Sequence, residues 1–281
     1  MLRTRPPIRL LGVDDVDQAL DLCARDPAAN VFVASRILDG GLRPGSTAAH
    51  GYFEGGRLEA FVWSFANIVP VGTGPDSWSP LAAQVKRARR RSASFLGPRD
   101  QVLGLWRETG SVFPQPRSMR SEQPLMATRT PPSRLGFAID ERVRPARLDE
   151  VDLVLPAAEH MFTHEIGYRP YTGSPAVYRD SIRRLIDQGR TYVVVEHGRV
   201  VFKADIGSVA FDTCQIQGVW LAPHLRGQGL AAGYMASVVE QTMTDHAPFV
   251  TLYVNDFNVA AIATYARIGM TRVGTFATIL F

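Results

Sequence analysis

The alternation of apolar and polar positions is sharpest in the C-terminal third of the chain. Thr213 to Val219 reads as a strand, and the apolar run Val219-Trp220-Leu221-Ala222 stops at Pro223. Leu230 to about Asp245 is rich in Ala, Met, Val and Glu, with no proline until Pro248, and this predicts a helix. Phe249 to Val254 is a short β-branched and aromatic run closed by Asn255, a strand pattern. Asn258 then caps a helix from Val259 to about Ile268, which Gly269 ends. A last apolar strand pattern covers about Thr275 to Phe281.

The same kinds of element recur earlier, in the same order. Ile8 to Asp17 resembles Val143 to Asp152: each reads as a strand, an acidic helix start and a helix. Gly51 to Val62 parallels Tyr192 to Phe202, apolar strands joined by a tight glycine turn. Two pairs with similar offsets argue for two copies of one αβ unit. The Pro-containing stretch Thr128 to Arg134 marks the join, giving residues 1–130, a linker at 131–140, and residues 141–281.

Between the strand at 213–221 and the helix at 230 lies Arg226-Gly227-Gln228-Gly229-Leu230-Ala231. Glycines at a strand-to-helix junction let backbone N–H groups close on an anion, and the helix start adds unpaired donors and a positive dipole end. The segment is suited to phosphate. Gly227-x-Gly229-x-x-Ala232 also fits a dinucleotide fingerprint, but no acid stands at the next strand end, where Asn255 sits.

Arg226, Gly229 and Ala231 reproduce an Arg/Gln-x-x-Gly-x-Gly/Ala signature, and the run resembles motif A of the GCN5-related N-acetyltransferases (the GNAT family). The resemblance implies an α/β fold of two GNAT-like mixed-sheet domains in tandem, the C-terminal one carrying the acetyl-CoA motif. It implies that the loop amides from Arg226 through Gly227, Gln228, Gly229 and Leu230 to Ala231 hold the pyrophosphate of acetyl-CoA. Backbone groups around Val219 and Leu221 would pair with the pantetheine arm. The helix after the next strand carries Asn258, Ala261 and Tyr265 at the family's Asn-x-x-Ala-x-x-x-Tyr spacing, with Gly269-Met270 in place of the usual Gly-Phe. By resemblance Asn258 touches the CoA arm, and the Tyr265 hydroxyl lies near the sulfur. A phenol there can protonate a departing thiolate.

The general base stays open. Family members often carry an acid on the motif A strand, whereas Thr213 to Val219 has none. Glu165 leads the alternatives, in the stretch His160 to Gly167 where the family binds its acceptor; His164 follows, each acting directly or through water. Gln217 can only orient a water, and the carboxylate of Phe281 is a third candidate. The loop Glu165 to Ser174, with Tyr168 and Tyr171, is expected to meet the acceptor. In the first copy the equivalent loop, Val71-Gly72-Thr73-Gly74-Pro75-Asp76, lacks the arginine, and Pro75 removes an N–H. That copy reads as degenerate and silent toward CoA. A strand from it, around Gln123 to Thr128, is expected to complete the sheet of the second.

Composition narrows the class further. The 281 residues are 46% hydrophobic, enough for two cores. No run has the length of a membrane span, and the Arg- and Pro-containing start lacks a signal-peptide apolar core. Cys23 and Cys214 have no metal-ligand spacing, so neither a metal nor a disulfide framework is implied, and a cytoplasmic location is expected. The net charge of +4 gathers in the first half, much of it in Lys86 to Arg91. Without interleaved aromatics this cluster reads as a solvated face, which argues against a nucleic-acid partner. The expected activity is acetyl transfer from acetyl-CoA to a primary amine of a small molecule, peptide or protein, by direct attack. A homodimer stays open. The alternatives are a non-catalytic acyl-CoA sensor and an aminoacyl-tRNA-dependent transferase.

Overall fold

The computed structural model describes residues 7–281. The chain forms two compact units: residues 1–125 with 253–257 and 272–281, and residues 126–252 with 258–271.

In the first unit, β1 (Ile8–Leu10), α1 (Val16–Ala24) and α2 (Pro27–Arg36) precede the meander β2 (Ala49–Glu54), β3 (Arg57–Ser64) and β4 (Asn67–Val71). Then come α3 (Pro75–Ala88), β5 (Ser94–Pro98), α4 (Arg99–Thr109) and β6 (Ser118–Thr128). Strands β1 to β4 are antiparallel neighbours in chain order, and β5 is parallel to β4.

The second unit repeats the series. β7 (Arg144–Pro145), α5 (Val151–Ile166), α6 (Ala176–Asp187), β8 (Thr191–Glu196), β9 (Arg199–Ala210) and β10 (Thr213–Leu221) are followed by α7 (Leu230–Asp245), β11 (Phe249–Tyr253) and α8 (Val259–Arg267). Strands β7 to β10 are antiparallel, and β11 is parallel to β10. The expected duplication reaches individual side chains. Arg9 forks onto Asp15 at 2.7 and 2.5 Å, as Arg144 forks onto Glu150 at 2.8 and 2.7 Å. Each carboxylate also accepts a backbone N–H three residues upstream, from Gly12 and from Arg147. Residues 131–140 dock along α7, where Ser133 bonds Glu240 and the Asp140 N–H donates to Ser237.

The last strands are exchanged. β12 (Thr271–Leu280) pairs antiparallel with β5, from Phe276 opposite Pro98 to Leu280 opposite Ser94. Its Ala277 and Ile279 enter a core with Phe95, Leu105 and Phe113, and Phe281 packs against it. The end of β6, Met126–Thr128, belongs to the second unit, in which β6 borders β11. There Arg129 lies over the Phe249 ring and pairs with Asp212 at 2.8 Å. A first-copy strand thus completes the second sheet, as the sequence leads one to expect. The return of β12 to the first unit goes beyond that expectation. It also sets Phe281 in that unit's core and not in the unit that carries the glycine loop.

Candidate functional site

The second unit's site starts where β10 and β11 part. Their parallel register runs only from Thr213, Cys214 and Gln215 to Phe249, Val250 and Thr251. Past Gln215, β10 bends away through register shifts against β9, with Gly218 at φ +58°. The opening leads to the loop. Pro223–Leu225 forms a 3-10 turn, and Gly227 and Gly229 take φ of +76° and +78°, conformations that favour glycine. A Cβ at either would meet open space, so backbone conformation and not crowding explains these glycines. Gly229 caps α7, whose first-turn amides have no intrahelical acceptor. Arg226 Nε donates to the Leu221 carbonyl at 3.0 Å and Gln228 Nε2 to the His224 carbonyl at 2.8 Å, which ties the loop to the strand end. The glycine loop thus stands at the positive end of a 16-residue helix, where helix-start amides favour an anion.

Tyr265 is the one buried residue of α8, 6% exposed. Burial, helped by the negative charge of Glu165, raises its phenol well above the usual range. The structure therefore brings Glu165, exposed on the last turn of α5, and Tyr265 into one electrostatic neighbourhood. Asn258 Oδ1 caps α8 by accepting from the Ala261 N–H at 3.2 Å, which leaves its amide nitrogen for other work. Beside Glu165 on α5, His160 Nδ1 accepts from Trp220 Nε1 at 3.0 Å, and the His164 ring stacks on His160 at 6.5 Å. In the loop after α5 the Tyr171 hydroxyl bonds Glu159, and Phe162 contacts both Tyr168 and Tyr178. Gln217 is exposed, folded over Gly207. Burial pushes the Cys214 thiol up to about 12, so it stays protonated. Among the described residues, no group of three His, Cys, Asp or Glu side chains could hold a metal ion.

Sequence reasoning missed a buried ion pair. Lys203, 1% exposed, donates from Nζ to Asp205 at 2.5 Å and to the Gly218 carbonyl at 3.0 Å. Asp205 also accepts from the Thr191 hydroxyl at 3.0 Å. Their alternation in Phe202-Lys203-Ala204-Asp205-Ile206 imitates a strand with one wet face, so the pattern carries no sign of burial.

The first unit's counterpart is closed by its own side chains. The Thr73 N–H donates to Gln101 Oε1 at 3.1 Å and the Gly74 N–H to the Ser77 hydroxyl at 3.0 Å, while Pro75 has no N–H to give. At the helix positions of Asn258, Ala261 and Tyr265 the first copy has Pro98, Gln101 and Leu105.

A meander followed by a splayed parallel pair and an amide loop at a helix start is the acetyltransferase architecture of the GNAT fold. Residues 158–270 match the acetyltransferase (GNAT) family, and residues 47–154 match a domain of unknown function, DUF4081. The C-terminal half of the chain thus carries an acetyltransferase domain of the GNAT family, and a DUF4081 domain precedes it. No curated protein matches the chain in sequence. Among solved structures, a GCN5-related N-acetyltransferase from Sphaerobacter thermophilus is similar at a TM-score of 0.61 and 15% identity, over 98% of this chain and 96% of that one. A GNAT-family acetyltransferase from Colwellia psychrerythraea gives 0.55 and 13%, over 98% and 99%. A tandem GNAT protein from the clavulanic acid biosynthesis pathway gives 0.55 and 14%, over 96% and 98%. At these identities the likeness is one of fold, and it bears out the tandem GNAT-like α/β class. The family uses acetyl-CoA, and its members transfer acyl groups.

Proposed function

We propose that the chain is an N-acetyltransferase that moves the acetyl group of acetyl-CoA to a primary amine by direct attack. The observation that carries this reading is the opening between β10 and β11 that ends on the loop Arg226 to Ala231. An extended thioester arm fits the opening, and a pyrophosphate fits the amides of Gly227, Gln228, Gly229, Leu230 and Ala231, with Arg226 beside them. Val219 and Leu221 offer backbone groups to the pantetheine, and the amide nitrogen of Asn258 serves the same arm.

In the reaction the amine nitrogen bonds to the thioester carbon, the C–S bond breaks, and the nitrogen gives up a proton. Glu165 takes that proton, directly or through water. Tyr265, kept protonated by its burial, gives its own to the departing thiolate. Holding amine and thioester together supplies much of the acceleration through orientation. Residues 141–281 are the catalytic domain in this reading, and the closed Thr73 loop makes the first copy a silent partner.

Calorimetric titration with acetyl-CoA, with NAD as control ligand, tests the reading. One acetyl-CoA site per chain is the expected result. No acetyl-CoA binding by the folded protein overturns it, and binding to NAD revives the dinucleotide alternative. The acid-free β10 favours one second reading, a non-catalytic acyl-CoA sensor. Steady CoA release with any amine of a screening panel excludes it.

A further inference from the structure

The Lys203–Asp205 pair lies directly beneath the bend of β10. Between the register pairs Gln217–Asp205 and Trp220–Lys203, β10 spends two residues, Gly218 and Val219, against the single Ala204 of β9. This is a β-bulge, and such bulges re-aim backbone groups. The bulge rests on the pair: a Cβ on Gly218 would stand 2.8 Å from Asp205 Oδ2, 3.2 Å from Lys203 Nζ and 3.2 Å from Met161 Cε.

Two features set this pair apart from a stability device. A fully buried lysine is rare unless paired, and replacing a buried ion pair by apolar side chains of similar volume is often neutral or stabilising. Stability alone is therefore a weak account of the pair. Furthermore, the chain has only two lysines, Lys86 and Lys203, among 31 cationic residues. A compact ammonium can donate to a carboxylate and a carbonyl at once, where a planar guanidinium would need more room.

We propose that Lys203 and Asp205 are positioning residues for acyl transfer. By holding the Gly218 carbonyl, Lys203 fixes the 218–219 peptide plane. In a trans peptide this turns the Val219 N–H to the opposite side, away from the pair. Of the two strand positions offered to the pantetheine arm, Val219 is the farther from the loop at 226–231, so in an extended arm its N–H stands toward the thioester end, and the pair thereby sets that contact. Asp205, steadied by Thr191, keeps the ammonium in place. The inference rests on the acetyl-CoA reading given above, and it assigns neither residue a proton-transfer role.

The test is calorimetry on the full chain with acetyl-CoA and with CoA, for the wild type and for Lys203→Met/Asp205→Leu. The wild type is expected to prefer acetyl-CoA at least fivefold. The double variant should melt within a few degrees of wild type, bind CoA within about threefold of it, and lose the preference for the acetyl form. Lys203→Gln/Asp205→Asn, which keeps a donor for Gly218 without charge, should restore at least half of the preference on a logarithmic scale. If the double variant does not fold, Gly218→Ala gives the same reading with the pair intact, because its Cβ forces the bulge off Asp205. Equal wild-type affinities for the two ligands, or an unchanged preference in a folded double variant or in Gly218→Ala, would overturn the proposal. Failure of the wild type to bind either ligand would instead sink the acetyl-CoA reading.

Discussion

Glu150 is 6% exposed and held in the fork of Arg144, which pulls its carboxyl down to about 2 against the cost of burial. A carboxylate depressed in the folded state stabilises the fold above its unfolded pKa of about 4.3, and that contribution is lost as pH falls toward 2. Glu150→Gln should therefore lower stability at pH 7 by roughly 2–4 kcal/mol and flatten the acid dependence between pH 4.5 and 2, as read by urea titrations across pH. An unchanged acid limb would dismiss the pair as a stability term. At Tyr265 the raised phenol stays protonated throughout the neutral range, as the proposed donor role requires. Tyr265→Phe is expected to cut turnover on the order of 100-fold while acetyl-CoA affinity changes less than threefold. Equal turnover would remove the donor role. Burial pushes both Cys23 and Cys214 up to about 12, so a thiol reagent at pH 8 should label neither in the native protein and both in denaturant.

At the scale of elements, the helix from Leu230 to Asp245 and the one ending before Gly269 stand where their punctuation puts them, because caps and glycines act locally. The hairpins read equally well from their turns. The place of β6 beside the second copy followed from that copy's missing last strand, but the partner of β12 was not legible, since an apolar strand pattern states that a face is buried and not which neighbour covers its edge. The Lys203–Asp205 pair escaped for a related reason: α5 covers a face that the alternation paints as wet. Tyr265 is singled out by its motif spacing and Glu165 by its place in the stretch His160 to Gly167, whereas the contact of His160 with Trp220 joins a helix to a strand 60 residues away and left no local mark. For the loop, Gly229→Glu places a carboxylate, at a position of φ +78°, in the proposed pyrophosphate cradle. Acetyl-CoA binding is expected to fall more than 100-fold in the folded variant, and unchanged affinity would reject the loop as the pyrophosphate cradle.

At the scale of the whole molecule, the two copies differ in their loops, the first having its amides taken by Gln101 and Ser77, and they exchange their last strands. β12 brings Phe276, Ala277 and Ile279, all nearly inaccessible, into the first unit. Burying side chains of this kind is worth roughly 1.5–3 kcal/mol for each large one. Expressed alone, residues 135–281 lack β6 and hold a β12 without its β5 partner. They are expected to aggregate or to melt at least 10 °C below the full chain; a folded fragment with full acetyl-CoA affinity would show the exchange to be dispensable.

The exchange also sets a timetable during synthesis. The first unit's residues to Leu125 leave the ribosome with one sheet edge bare, and residues 272–281, which cover it, follow 147 positions later. At about 5–20 residues per second that is a wait of roughly 7 to 30 s. Throughout it the edge of β5 is open to pairing with another nascent chain, so partial synthesis carries a hazard that the finished protein does not.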